Sequence, residues 1–209
     1  FKREVLVQRV ITYVDGYNLY YGLKDNHWKK FYWLNIQRLA QLLLRQNQEL
    51  AATKYFTTVV SRPKVRHDRQ AVFLEALGTL EHFEIHYGHF LADNVVCPQC
   101  KYTYETHHEK MTDVNIAVAM MSDAFQNKFD VALLVTADSD LVSAISTIRS
   151  LFADKQVIVV FPPARSSSAL KRVANATLHI DRGMLARSVF PERVVKRDGF
   201  VLERPLKWR

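Results

Sequence analysis

Two short runs made only of apolar residues constrain the fold more than any other feature. They are Val131–Val135 and residues 157–161, and each has the length of one β-strand. A strand without polar alternation is buried on both faces, which is typical of a parallel sheet covered by helices. Helical patterns separate such runs along the chain. The sequence therefore predicts one α/β domain, a three-layer sandwich around a central, mainly parallel sheet.

Residue patterns place the other elements along the chain. Strands are predicted at residues 9–14, 54–60, 83–90, 130–136, 156–161 and 177–180, and helices at residues 34–46, 65–80, 112–127, 140–152 and from about 169. Residues 93–109 are a polar insert. Residues 192–209 are rich in Lys and Arg and are predicted to be a solvated tail, with a role in gripping RNA as the alternative. The domain is therefore assigned to residues 1–191.

Composition narrows the partners and the compartment. The 209-residue chain has 29 Lys and Arg against 21 Asp and Glu, and this net charge of +8 favours a polyanion such as nucleic acid. Its apolar runs are far shorter than the ~20 residues of a membrane span. Two cysteines cannot staple a chain of this size, and the first ten residues contain no apolar signal core. We therefore expect a cytoplasmic protein with no membrane partner.

Acidic residues follow two of the predicted strands and open one predicted helix. Asp15 follows the first strand, Asp138 and Asp140 follow the fourth, and Asp113 begins the helix after the insert. Ligands of open parallel sheets bind at the carboxyl ends of the strands, so these acids are expected to meet. Clustered carboxylates repel one another unless a cation neutralises them, and oxygen ligands suit Mg²⁺ or Mn²⁺. Such a centre can cleave phosphodiesters.

Each acid also has an ordinary structural explanation. Asp138 or Ser139 can cap the following helix, and Asp113 can occupy a first helical turn because the helix dipole favours it there. Asp15 is harder to explain as turn chemistry, because it directly follows a buried strand and precedes Gly16 and Asn18. Taken together, the acids favour a shared metal site over unrelated caps.

Three segments carry a family resemblance. They are residues 14–19 (Val-Asp-Gly-Tyr-Asn-Leu), 109–114 (Glu-Lys-Met-Thr-Asp-Val) and 135–141 (Val-Thr-Ala-Asp-Ser-Asp-Leu). In this order and spacing they resemble the NYN domain, in its LabA-like branch, over residues 9–191. That family belongs to the PIN-like nuclease superfamily, which has a Rossmann-like sheet and an acidic Mg²⁺- or Mn²⁺-binding pocket acting on RNA. The resemblance implies a metal-dependent ribonuclease that cuts single-stranded RNA internally, with a non-catalytic RNA-binding module as the alternative.

The resemblance also assigns residue roles. The metal ligands it implies are Asp15, Asp113, Asp138 and Asp140, and Asn18 completes the catalytic set beside them. Lys110 is expected to contact substrate phosphate or to balance the acids. One departure is that Thr136-Ala137-Asp138 stands where related sequences often have Ser-Gly-Asp, so the geometry of this turn can differ.

Basic and aromatic residues surround the predicted pocket. The expected RNA-binding residues after the second and fifth strands are Arg62, Lys64, Arg66, Arg69, Arg165 and Ser166. An exposed first helical turn and ordinary capping by a serine are the alternatives for these two segments. Three nearby tyrosines at helical spacing can stack on bases or simply pack; they are Tyr17, Tyr20 and Tyr21.

The polar insert contains a cysteine pair whose spacing matches half of a zinc site. Cys97 and Cys100 have the spacing of a zinc-binding pair, and His107 can supply a third ligand. A fourth ligand would come from His89 or from a partner chain, so a homodimer is an open prediction. Because no complete tetrahedral ligand set is visible, an inert surface pair is the favoured interpretation, with zinc binding and then a redox pair as the alternatives.

Overall fold

The computed structural model describes the backbone of residues 6–60, 62–96 and 98–209, and their side chains except those of residues 89–96 and 104–110. The strands are β1 (Gln8–Asp15), β2 (Gln48–Thr57), β3 (Phe83–Tyr87), β4 (His89–Val96), β5 (Thr103–Lys110), β6 (Val131–Val135), β7 (Gln156–Phe161), β8 (Ala176–His179), β9 (Arg193–Val195) and β10 (Val201–Glu203). The α-helices are α1 (Gly16–Asp25), α2 (Ile36–Leu42), α3 (Lys64–Leu77), α4 (Thr112–Phe125), α5 (Val142–Leu151), α6 (Ser168–Val173) and α7 (Arg182–Arg187). Short 3₁₀ turns lie at Lys29–Phe31, Ser139–Leu141 and Leu206–Trp208.

A six-stranded sheet in the described part of the chain has the order β3-β2-β1-β6-β7-β8, and every neighbouring pair is parallel. Successive residues of a strand face opposite sides, so β1 contributes Val10 and Val14 to one core and Ile11 and Tyr13 to the other. Both cores are covered by helices. The predicted α/β class with a central parallel sheet is confirmed.

The strand order reverses at β1. The chain runs outward from β1 through β2 and β3, and then returns to place β6, β7 and β8 on the other side. Parallel sheets of this kind bind ligands in the crevice beyond the carboxyl ends of the strands where the order reverses. The loops after β1 and β6 therefore flank the expected binding crevice.

Helix α1 was missing from the predicted elements. It contains two glycines, which lower helix propensity, but both lie at close approaches. A Cβ at Gly16 would lie 2.6 Å from Tyr55 Oη and 2.7 Å from the Phe56 carbonyl oxygen, and one at Gly22 would lie 2.9 Å from Pro162 Cβ. The glycines thus allow α1 to pack tightly on its neighbours.

The polar insert is part of a two-stranded antiparallel ribbon. Strands β4 and β5 pair from His89 opposite Lys110 to Val96 opposite Thr103. The ribbon begins at residue 89, so the strand predicted at residues 83–90 covers all of β3 and the first two residues of β4. The helix predicted at residues 34–46 is shorter, because α2 ends at Leu42.

The segment at residues 192–209 is folded against the domain and is not the solvated tail predicted from its charge. Strands β9 and β10 form an antiparallel hairpin whose Val194 and Leu202 are buried in the core. Trp208 packs against Trp33 and against the edge of Tyr32. The segment is further held by Arg204, whose largely buried side chain pairs with Glu192 and donates to the carbonyl oxygen of Lys30.

Candidate functional site

Asp15 lies at the centre of the crevice. It ends β1, caps α1 and is only 2% exposed. Its Oδ1 accepts a 2.9 Å hydrogen bond from the Asn18 backbone N–H, and its Oδ2 accepts from Asn18 Nδ2 at 2.5 Å and from Thr136 Oγ1 at 2.9 Å. Burial raises the pKa of the Asp15 carboxyl, and these hydrogen bonds offset the rise only in part. The carboxylate is therefore held in one orientation and poorly hydrated.

Thr136 connects Asp15 to the acids that follow β6. Its hydroxyl donates to Asp15 and accepts a 3.1 Å hydrogen bond from the Asp138 backbone N–H. Asp138 Oδ1 in turn accepts from the Asp140 backbone N–H at 3.0 Å, which caps the 3₁₀ turn. The capping role considered for Asp138 is thus observed, and it coexists with a position beside Asp15. Thr136 thus keeps the hydroxyl that a serine would supply at this position, and this hydroxyl bridges the two acidic segments.

Asp113 belongs to the same electrostatic cluster. Burial raises the pKa of its carboxyl to about 6, and the negative charges of Asp138, Asp15 and Asp140 add to the rise. Hydrogen bonds through Thr136 join Asp15 to the Asp138 segment, as expected from the carboxyl-edge rule, and Asp113 lies within electrostatic range of these acids. Asp113 lies in the first turn of α4, so the preference of acids for a helix start also contributes to its position.

The donor set fits a hard divalent cation. Among the side chains that the structure describes, no three His, Cys, Asp or Glu residues lie close enough to enclose a metal ion by themselves. Mg²⁺ is usually held by one or two carboxylates together with waters and substrate phosphates, so it does not need such a protein cage. Burial is the main cause of the raised pKa of Asp113, and repulsion from the neighbouring acids, which a cation would relieve, adds to it.

A polar cleft of about 370 Å³ lies beside Asp138 and is lined by Asn18, Ser139, Arg165 and Ser166 among others. Arg165 Nη2 forms a 3.0 Å ion pair with Asp25, and its Nη1 lies 3.5 Å from Asn18 Oδ1. Ser167 caps α6, so Ser166 lines the cleft and does not act as the helix cap. Arg165 and Ser166 are thus next to the acids, as the sequence predicted.

The predicted basic residues after β2 separate into two groups. Arg66 and Arg69 line a second, larger cavity, whereas Arg62 and Lys64 are exposed and line neither the cleft nor that cavity. This aromatic cavity has a volume of about 650 Å³ and begins at Gly16, directly after Asp15. Its aromatic lining residues are Tyr17, Tyr20, Tyr21, Phe31, Tyr32, Tyr55, Phe73 and Trp208. The three tyrosines of α1 were predicted from the sequence to lie near the pocket. The cavity was not predicted, because the other rings of its lining come from segments distant in the sequence.

The predicted zinc ligands remain a prediction. Cys97 and the side chain of His107 lie outside the described part of the structure, as does the side chain of Lys110. Cys100 is exposed and forms no disulfide with a described residue.

Within the described ranges, no helix is long and apolar enough to cross a membrane.

A parallel sheet with an acidic crevice at its strand-order reversal defines this chain as a PIN-like α/β domain. The chain belongs to the NYN domain family, whose model matches residues 9–181, so the predicted family is confirmed, while the LabA-like branch stays a prediction. It is 28% identical to a 6-hydroxy-3-succinoylpyridine 3-monooxygenase, HspA, of Pseudomonas putida, over 96% of this chain and 75% of that protein. A crystal structure of a protein of unknown function from Vibrio parahaemolyticus has a similar fold, with a TM-score of 0.57 at 18% identity, covering 91% of this chain and all of the other.

Proposed function

We propose that this protein is a Mg²⁺- or Mn²⁺-dependent ribonuclease that cuts single-stranded RNA internally in the cytoplasm. The observation that carries the proposal is the hydrogen-bonded link of Asp15 to Asp138 through Thr136 at the carboxyl ends of β1 and β6, next to the Arg165 cleft. Asp113 in α4 lies within electrostatic range of this pair. Membership of a nuclease-like family supports it. The positive charge of the chain supports an RNA partner.

The residues of the crevice divide the work. Asp15, Asp113, Asp138 and Asp140 would hold the cation, which when bound lowers the pKa of its water and stabilises charge on the leaving oxygen. Asn18 and Thr136 fix the Asp15 carboxylate by donating hydrogen bonds to it. These contacts set the orientation of the acid before substrate arrives.

The substrate phosphate is expected to bind in the polar cleft. The Arg165 guanidinium is already positioned there by Asp25 and Asn18, and the Ser166 hydroxyl lies beside it. A guanidinium matches the geometry of a phosphate and keeps its charge at all relevant pH values. Arg165 and Ser166 therefore position the backbone of the strand against the acids.

Cleavage of a labelled single-stranded RNA tests the proposal. Product should form with Mn²⁺ or Mg²⁺ and not with EDTA, and Asp15→Asn or Asp138→Asn should lose activity while remaining folded. Asp154→Asn is the matched control, because Asp154 lies in the loop before β7, at the opposite edge of the sheet. Equal cleavage by both site variants would refute the assignment. RNA binding without product under any divalent ion would instead support the non-catalytic module.

A second candidate function is action on a small aromatic acid. The name of the Pseudomonas putida relative specifies a pyridine compound with a succinoyl group, and the aromatic cavity with its cationic lining is the observation that favours such a ligand here. Titration with 6-hydroxy-3-succinoylpyridine, followed by the intrinsic tryptophan fluorescence to which Trp208 in the cavity wall contributes, tests this candidate. No saturable change would count against it.

A further inference from the structure

The aromatic cavity beside the acidic crevice has the chemistry of a site for a nucleobase. Tyr20 is 42% exposed, and its ring centroid lies 5.1 Å from that of Tyr32 and 5.3 Å from that of Tyr21. The volume of about 650 Å³ lies within the usual range of roughly 300–1,000 Å³ for small-ligand sites. The exposed rings of Tyr20 and Tyr21 at this cavity offer stacking surface to a flat ligand.

The charges of the cavity are of one sign. Its described lining contains no Asp or Glu, and its cations are Lys24, Lys29, Arg66, Arg69 and Lys207. None of these five cations forms an ion pair with a carboxylate in the described part of the chain, although Lys24 lies 5.0 Å above the Tyr21 ring. Because the aromatic walls and the unneutralised cations occur together, the ligand is expected to combine a planar ring with negative groups.

Helix α1 joins this cavity to the acidic crevice. Asn18 lines the polar cleft, whereas Gly16, Tyr17 and Tyr21 line the aromatic cavity. The Arg165 guanidinium belongs to the cleft and also lies 5.8 Å from the Tyr21 ring centroid. A strand whose phosphate binds at Arg165 therefore has the cavity within reach of the adjacent base.

We propose that the cavity bounded by Tyr20, Tyr21 and Arg69 binds one unstacked nucleotide of the RNA strand, next to the phosphodiester held at the acids. The inference rests on the proposed function, since RNA is the ligand in both. A nucleotide strand fits better than a small aromatic acid, because the lining offers more positive charges than one carboxylate requires. The site favours single-stranded RNA, because a base must unstack to enter the cavity and a paired base would also lose the free energy of pairing.

Binding of two fluorescein-labelled RNA oligomers in EDTA tests the proposal without cleavage. One is an eight-residue oligouridylate, and the other has the same ribose-phosphate backbone without bases. Tyr20→Ala should weaken binding of the intact oligomer roughly tenfold and leave the abasic oligomer within about twofold, since stacking needs a base. Phe125→Ala is the matched control, because Phe125 is 82% exposed at the far end of α4. Arg69→Ala is a second variant, and it should weaken both oligomers.

Each other outcome would overturn the proposal. If Tyr20→Ala weakens the intact and abasic oligomers equally, or weakens neither, the cavity does not bind a base. Loss of 6-hydroxy-3-succinoylpyridine binding in Tyr20→Ala, with RNA binding unchanged, assigns the cavity to a small aromatic acid. No RNA binding by the wild type overturns both proposals.

The two proposals fail in different ways. Base-dependent binding without Mn²⁺-dependent cleavage would refute the ribonuclease and leave the nucleotide cavity standing. Cleavage together with base-independent binding would refute the cavity and leave the ribonuclease standing.

Discussion

A buried ion pair on the α4 face of the sheet gives a stability prediction of defined size. Lys54 Nζ lies 2.7 Å from Asp123 Oδ2, and both side chains are less than 10% exposed. Tyr13 donates a 2.8 Å hydrogen bond to the same oxygen, so Asp123→Ala leaves a buried ammonium and a buried hydroxyl without this partner. Breaking a buried pair from one side typically costs about 3–5 kcal/mol. Glu84, 3.4 Å from Lys54 Nζ, retains part of the interaction, so we expect about 3 kcal/mol.

Urea and thermal unfolding measure this cost. A loss of about 3 kcal/mol corresponds to a fall of about 6–12 °C in the melting temperature of a chain of this size. Lys128→Ala is the control, because Lys128 is half exposed and contributes about 1 kcal/mol or less to its pair with Asp123. Replacing both partners, as in Lys54→Met with Asp123→Leu, should cost less than Asp123→Ala alone. The reasoning is refuted if Asp123→Ala costs under 1 kcal/mol or if the double variant is the less stable.

The same contacts fix the direction of the pH dependence. Burial by itself raises the pKa of Asp123, but hydrogen bonds from Lys54 and Tyr13 and the charge of Lys54 outweigh it and hold the pKa below its ordinary value. The stabilisation is therefore present above the unfolded-state pKa of about 4 and is lost as the pH falls through the folded-state pKa. Unfolding curves of the wild type below pH 4 should show this loss, and those of Asp123→Ala should show less of it.

Three further predictions concern the crevice and its surroundings. Mn²⁺ at 100 times its Kd should stabilise the wild type by about 2.7 kcal/mol, measured by thermal unfolding. Asp138→Asn should melt no lower than the wild type in EDTA and should gain less stability from Mn²⁺. Equal Mn²⁺ shifts in the two proteins would argue against a shared site. Gly16→Ala should lower the free energy of unfolding, measured in urea, by about 1–3 kcal/mol, because the new Cβ would overlap the Tyr55 side chain and the Phe56 carbonyl oxygen. Gly78→Ala is the control and should cause no such loss, because its Cβ would lie 3.4 Å from the nearest neighbour. Arg165→Ala should weaken RNA binding and lower the salt slope by about 1, measured by anisotropy at several salt concentrations, with Arg172→Ala unchanged.

The fold was predictable where one physical rule dominates. The apolar runs of β6 and β7 have no alternation and could only be buried strands, and the carboxyl-edge rule then placed Asp15 near Asp138. Helix α1 was not predicted because its glycines are required by close contacts with residues distant in the sequence, and these contacts leave no local sequence pattern. The hairpin at β9 and β10 was missed because each strand has three residues and buries only one. The aromatic cavity joins α1 to Phe73 and Trp208, a long-range arrangement that the sequence does not show.

Stability alone does not account for a carboxylate at position 15. Asparagine is about as good an N-cap as aspartate, so Asp15→Asn can still accept the Asn18 backbone N–H and cap α1. The burial that raises the pKa of Asp15 shows that the fold disfavours its charged form, and an amide removes this cost. An amide nitrogen in place of Oδ2 would face the Asn18 Nδ2 and Thr136 Oγ1 donors, and this mismatch offsets the gain. We therefore expect Asp15→Asn to melt close to the wild-type temperature in EDTA while losing Mn²⁺-dependent RNA cleavage. A variant that is clearly destabilised in EDTA would show that the charge serves the fold, and this argument for a functional carboxylate would then fail.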